Sequence, residues 1–336
     1  MRILLATDAW FPQINGVVRT LSRVVEELAA LGHEIEVVHP GRFRTVACPT
    51  YAEIRLAVLP RSGALAIIEE FRPEAVHIAT EGPIGWAVRS LCLARKLPFT
   101  TSYHTRFPEY VSARMPVPTA LGYLVMRWFH RPSSGVMVAT PSLQRELEGR
   151  GFRNVKAWSR GVDTEMFKPR NDPAVDLPRP VYLYVGRVSV EKNLEAFLGL
   201  DFALGSKLVV GDGPQLAELK GRFPKAHFVG AKQGEELARH YASADVFVFP
   251  SRTDTYGLVM LEALASGLPV AAFPVPGPLD VVDGHGIGVL DEDLAYAVER
   301  ALAIPPERCR AHALKFSWRA CAEQFLGNLQ PFAAAA

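Results

Sequence analysis

At 336 residues, 49% hydrophobic and 21% charged, the chain is long enough to bury two globular cores and has the composition of a soluble protein. The net charge is only +2, no apolar run approaches the roughly 18 residues of a bilayer span, and MRILLATDAW lacks a signal-peptide layout. The expectation is therefore a cytoplasmic protein without a nucleic-acid partner, with attachment to the inner face of the membrane left open. Cys48, Cys92, Cys309 and Cys321 show no CxxC or metal-ligand spacing and fit reduced thiols. The charge is uneven along the chain: 22 Lys+Arg against 15 Asp+Glu over residues 1–170, and 15 against 20 over 171–336. A basic half beside an acidic one suggests an anionic partner for the first half, although uneven surface charge explains it too.

In chain order, β-branched runs at 2–6, 34–39, 54–59, 75–78, 99–103, 135–139 and 155–157 read as strands. Amphipathic helical patterns separate many of them, such as 17–31 with Leu21, Val24, Val25 and Leu28 on one face and Gly32 as its stop. Residues 84–96 and 142–150 behave alike. KPRNDPAVDLPRP, residues 168–180, breaks the rhythm with four prolines and is the expected linker. The alternation restarts with strands at 181–185, 207–210, 227–229, 246–249, 270–273 and 287–290. The fold class expected is α/β, two Rossmann-like domains facing across a cleft: residues 1–170, residues 171–316, and a tail helix over 317–336 that closes the second domain or crosses back to the first.

Four segments carry chemistry. Gly16 ends the loop WFPQINGV and opens a helix, so an anion could approach its backbone, although it is not a GxGxxG fingerprint. YLYVGRVSVEKN places Arg187 and Lys192 just after a strand, where two cations suit a diphosphate; a surface Arg beside a Glu191–Lys192 pair reads the same way. VVGDGP, residues 209–214, is a strand and glycine turn that lets another backbone come close, or an ordinary loop. SRTDTYGLVMLEALASGLPVAA, residues 251–272, follows a buried strand and combines a turn, a helix start at Gly257, and two carboxylates, Asp254 and Glu262. Amides suit a diphosphate and carboxylates suit sugar hydroxyls. A plain strand–helix connection with Asp254 as N-cap accounts for the segment equally well.

These segments, with TDAWFPQINGVVRTL near the start and GVDTEMF at 161–167, occur in an order and spacing that resembles the retaining glycosyltransferases of family 4, which have the GT-B fold. The similarity runs over nearly the whole chain. TDAWFPQINGVVRTL with YHTRFPEY, residues 103–110, looks closest to the branch holding bacterial α-mannosyltransferases and diacylglycerol glycosyltransferases. The resemblance implies that Asp254 and Glu262 occupy the family's Glu-x7-Glu pair, the first on donor-sugar hydroxyls and the second on the nucleotide ribose. It implies that Arg187 and Lys192 bind the diphosphate. Gly16 and the amides of Tyr256, Gly257 and Leu258 would complete the cradle, and His104 would lie near donor sugar and acceptor. Asp254 departs from the family, where Glu is usual, which bears on the choice of sugar.

No nucleophile is evident, and retention then suits a front-face reaction in which the leaving diphosphate accepts the acceptor's proton. With cations supplying the countercharge and no DxD-like pair in the expected loop, no metal or cofactor is expected. Donor candidates are GDP-mannose and UDP-glucose, and the acceptor is a lipid or glycan. Trp10, Glu81 and Arg106 are expected on the acceptor side by location. Arg106, Arg114, Arg127 and Arg131 fall among Tyr110, Tyr123, Trp128 and Phe129, which suits a helix on an anionic bilayer and equally an amphipathic helix packed on its own domain. A non-hydrolysing sugar-nucleotide epimerase of the same fold and a non-catalytic sugar-nucleotide-binding subunit are the competing readings.

Overall fold

A computed structural model describes residues 1–13, 15–48, 54–112, 117–254 and 256–332, with Tyr110 as backbone only. The chain forms two compact units, Met1–Arg160 joined by Trp318–Ala336, and Gly161–Ser317. The division thus falls before the proline-rich run. Residues 168–180 pack on the second unit instead of hanging between the two. The Ala174 N–H donates to Ser243 Oγ at 2.9 Å and to Arg239 O at 3.1 Å, while Arg170 pairs with Glu235 and Arg179 with Asp245. Proline forbids regular structure there, but the backbone groups still find partners. Just upstream, Arg310 donates to the carbonyls of Thr164 and Phe167, tying that stretch to the second unit as well.

The first unit holds strands β1 (Arg2–Ala6), β2 (Glu34–Val38), β3 (Thr45–Ala47), β4 (Arg55–Ala57), β5 (Ala75–Ile78), β6 (Thr100–Ser102), β7 (Gly135–Val138) and β8 (Val155–Ala157). Six of them make a parallel sheet in the order β2-β1-β5-β6-β7-β8. β1, β5 and β7 are buried almost throughout, as strands covered on both faces must be, and read as continuous apolar runs. The expected strand at 54–59 is different. Its core, β4, pairs antiparallel with β3 in a separate hairpin, and β3 is too short and exposed to leave an apolar pattern in the sequence.

The tail helix Trp318–Asn328 belongs to the first unit. Trp318, Cys321, Ala322 and Phe325 form its buried stripe, at the spacing of one helix face. The Trp158 indole N–H donates to Cys321 O at 3.2 Å, and Phe325 packs edge-on to His77 with ring centroids 4.8 Å apart.

The second unit repeats the architecture with β9 (Val181–Val185), β10 (Ser206–Val210), β11 (His227–Phe228), β12 (Val246–Phe249), β13 (Val270–Ala272) and β14 (Gly288–Leu290). All pairings are parallel, in the order β11-β10-β9-β12-β13-β14. Its core runs from Leu194 and Phe197 through Val246 and Val248 to Ala297 and Val298. The chain leaves β9 toward β10 on one side and leaves β12 toward β13 on the other. The two loops therefore part at the carboxyl ends of neighbouring strands, which opens a crevice between them.

Candidate active site

Both cationic and carboxylate motifs of the second unit lie on the two loops flanking that crevice. Arg187 and Lys192 follow β9; Asp254, Tyr256 and Gly257 follow β12. Lys192 Nζ donates to Asp254 Oδ1 at 2.5 Å, with both side chains about one-fifth exposed. The loops are joined further by Asn193 Nδ2 donating to Pro250 O at 3.1 Å and Thr253 Oγ1 donating to Glu191 O at 3.3 Å. Asp254 thus faces Lys192 and does not act as the helix N-cap. The cap position is Gly257, at φ +81°, with no side chain capping the helix Leu258–Ala265. A left-handed conformation there favours glycine, and an added Cβ would sit 2.9 Å from the Met260 methyl and 3.0 Å from the Phe249 ring. A helix start without a side-chain cap presents backbone N–H groups of the kind that bind anions.

Glu262 lies on the same helix one turn from its end and is 4% exposed, held at Oε2 by the Tyr241 hydroxyl at 2.9 Å. The VVGDGP glycines serve the first loop. Val188 N–H donates to Asp212 O at 2.9 Å and Gln215 N–H to Val188 O at 3.1 Å; a Cβ on Gly211 would overlap Gly186 O at 1.8 Å. The turn therefore braces the backbone that carries Arg187, and the Tyr184 hydroxyl adds a bond to Arg187 O at 2.8 Å.

The remaining predicted residues lie in the first unit. His104 follows β6; its Nδ1 is 3.4 Å from the Arg160 guanidinium, and its ring stands against Trp158. Burial, then the Arg160 and His77 neighbours, hold its pKa well below the ordinary histidine value, so the ring is neutral near pH 7. With Arg160 as donor to Nδ1, the proton of that neutral ring sits on Nε2. Gly16 opens the helix Gly16–Ala30 and is exposed, but Asn15 Oδ1 already accepts from Val17 N–H and Val18 N–H, each at 3.0 Å. The two amides that follow Gly16 are thus taken by the helix's own cap.

On the acceptor side the expected residues separate. Glu81 has a 3% exposed side chain, 3.1 Å from His130 Nε2, and is a buried polar tie instead of a cleft wall. Arg106 is held by Glu146 at 2.6 Å, in a cluster where Tyr123 Oη donates to Glu109 at 2.6 Å. Trp10 is half-buried and, with Phe11, Phe43 and Arg55, lines a cavity of about 120 Å³. The helix Thr119–His130 packs through Tyr123 and Phe129 yet leaves Leu121, Leu124, Val125 and Trp128 exposed. Arg127, Arg131 and Arg153 surround a cavity of about 420 Å³ beside that exposed face. Arg114 and the Tyr110 side chain lie outside the described residues. Among the described residues, no three His, Cys, Asp or Glu side chains gather as a metal site, and no helix is long and apolar enough to cross a membrane.

The pattern for Glycosyltransferase Family 4 matches residues 14–166, and that for Glycosyl transferases group 1 matches residues 179–303. A GDP-mannose-dependent alpha-mannosyltransferase of Mycobacterium tuberculosis is 32% identical over 318 residues, covering 86% of this chain and 83% of its own. The chain belongs to glycosyltransferase family 4. An alpha-monoglucosyldiacylglycerol synthase of Streptococcus pneumoniae is 29% identical over 355 residues, covering 91% of this chain and 79% of its own. Among solved structures, a sucrose-phosphate synthase of Thermosynechococcus elongatus superposes with a TM-score of 0.76 at 22% identity, over 97% of both chains.

The protein is therefore a hexosyltransferase of the GT-B class, built from two parallel-sheet units. Within this glycosyltransferase, sequence reasoning found the residues on the two crevice loops but missed those that hold them. Tyr184 and Asn193 lie within YLYVGRVSVEKN but show no role there in the sequence, and Tyr241 lies outside every motif. What marks Asn193 is a left-handed backbone, φ +54°, that closes the turn after Lys192, and only asparagine's tolerance of that region hinted at it.

Proposed function

We propose that this family 4 glycosyltransferase moves mannose from GDP-mannose or glucose from UDP-glucose to a lipid or glycan acceptor, with retention at the anomeric carbon and without a metal. The single observation that carries the reading is the Lys192–Asp254 pair at the switch-point crevice, on the loops that carry Arg187 and the start of helix Leu258–Ala265. The diphosphate lies against Arg187, Lys192 and the amides of Tyr256, Gly257 and Leu258. Asp254 takes donor-sugar hydroxyls and Glu262 the ribose. The bond from C1 to the diphosphate oxygen breaks as the acceptor oxygen bonds C1 from the same face, and the acceptor's proton passes to the leaving diphosphate. The protein's share is positioning and stabilisation of the departing charge. The family resemblance gives His104 a role in the reaction, and a neutral ring there would donate a hydrogen bond without adding a competing charge. The relatives named above, one using GDP-mannose and one making a glucosyl lipid, support this donor and acceptor range.

On the acceptor side we place Trp10 and its aromatic cavity. Peripheral attachment to an anionic membrane face goes with a lipid acceptor. It draws support from the exposed Leu121, Leu124 and Trp128 beside Arg127, Arg131 and Arg153. An epimerase would need acid/base carboxylates in the first unit, where Asp8 and Glu81 are both held in buried contacts. The deciding experiment incubates the enzyme with labelled GDP-mannose and UDP-glucose, with and without diacylglycerol vesicles. Nucleoside diphosphate release coupled to an α-glycosylated lipid supports the proposal. An inverted product would overturn the front-face reading, and tight binding without turnover would favour a non-catalytic subunit.

A further inference from the structure

Glu262 sits in an unusual place for a ligand-binding carboxylate. Met260, Leu261, Ala263, Leu264 and Ala265 around it are apolar and fully buried, and Glu262 itself is 4% exposed. A carboxylate in such a helix needs a fixed hydrogen-bonding partner, or its orientation is lost and its burial costs several kcal/mol. One such partner is Tyr241, the last residue of helix Gly234–Tyr241. Its ring is fully buried, edge-on to Phe167 at 5.6 Å and beside Phe247 at 6.0 Å, so the phenol has one seat. From there its hydroxyl is 2.9 Å from Glu262 Oε2 and 3.3 Å from Val259 O. One proton serves both acceptors, and both the shorter distance and the charge favour the carboxylate.

We propose that Tyr241 is a positioning residue for nucleotide recognition. It fixes one oxygen of Glu262 and thereby aims the other at the ribose hydroxyls of the donor. The inference rests on the assignment of Glu262 to the ribose. It adds that affinity for the ribose is set by a phenol that touches no substrate, on a helix outside the motif. A packing tyrosine would instead affect stability and all ligands alike.

The test is titration calorimetry of GDP and UDP against their 2′,3′-dideoxy analogues on the wild type, Tyr241→Phe and Glu262→Gln. For whichever base binds, the wild type should prefer the ribonucleotide by about tenfold or more, the scale of a hydrogen bond to a charged group. Tyr241→Phe should weaken the ribonucleotide and leave the dideoxy form nearly unchanged, so that the ratio collapses as it does in Glu262→Gln. Tyr241→His, which restores a ring donor, should recover part of the ratio and serves if the Phe variant folds poorly. A ratio retained in Tyr241→Phe but lost in Glu262→Gln would overturn the role of Tyr241 and leave the ribose assignment standing. Equal weakening of both nucleotides would also overturn it, as a packing effect. A wild type that does not discriminate would overturn the ribose assignment and this inference together.

Discussion

Lys192 Nζ and Asp254 Oδ1 are 2.5 Å apart, a bond between the loops that follow β9 and β12. In the proposed reaction the cation serves the diphosphate and the carboxylate serves the sugar, so the donor's two ends meet groups that already hold each other in place. Such a partly exposed pair adds only about 0–1 kcal/mol to stability. Lys192→Ala should therefore lower turnover by about 10²–10³-fold, the range for losing one charge-stabilising group, with an unchanged melting temperature. Nucleoside diphosphate release at saturating donor measures it, and a near-normal rate would remove Lys192 from the mechanism.

In the family resemblance Asp254 stands where Glu is usual, one methylene short. Asp254→Glu should push the carboxylate further into the donor-sugar space and change the ratio of kcat/KM for GDP-mannose over UDP-glucose by about tenfold or more. Competition between the two donors in one reaction reads the ratio directly. An unchanged ratio would place sugar choice elsewhere.

His77 is fully buried, with Nδ1 2.8 Å from Thr100 Oγ1 and Nε2 2.8 Å from Ser102 Oγ. Burial pushes its pKa down to about 3, against an ordinary value of 6.5. The unfolded chain then binds a proton that the folded protein does not, throughout the window between those values. Its contribution to stability is complete above pH 6.5 and is lost as pH falls toward 3, at up to about 1.4 kcal/mol per pH unit. His77→Gln should flatten the slope of urea-unfolding free energy against pH between 6 and 4 by that amount, and parallel curves for the two proteins would refute it.

Asp8 ties two elements of the first unit. Its Oδ1 accepts from Ile84 N–H at 2.9 Å, and its Oδ2 from Gly85 N–H at 3.3 Å and Thr80 Oγ1 at 2.9 Å, so it caps helix Pro83–Ala94 from the loop after β1. Burial raises its pKa against the pull of these bonds, so part of the capping gain is offset by desolvation. Asp8→Ala should still cost about 1–2 kcal/mol by orphaning the helix amides, with Asp8→Asn in between. Chemical denaturation measures the difference, and a neutral Ala variant would show that solvent can replace the cap.

Strand positions were legible because parallel strands buried on both faces read as apolar runs; β1, β5, β9 and β12 begin and end where the pattern says. β4 falls within the strand expected at 54–59, but β3 and the antiparallel pairing of the two were not legible, since a short exposed strand leaves no such trace. Proline content alone put the domain boundary too late, because a segment barred from helix and sheet can still pack through its carbonyls and amides, as residues 168–180 do. On the acceptor side, location along the chain gave no sign that Glu81 and Arg106 are each held by a partner distant in sequence, His130 and Glu146.

The sequence by itself determined the fold class, the family and which charged residues stand on the two crevice loops, because those depend on local patterns: glycine turns, apolar runs and charged residues at fixed spacing. The tertiary structure alone decided which of those residues meet. That Lys192 faces Asp254 and that Tyr241 holds Glu262 both follow from strand order and packing between segments far apart in the chain. Spacing along a sequence carries no information about such distances until the sheet has set its switch point.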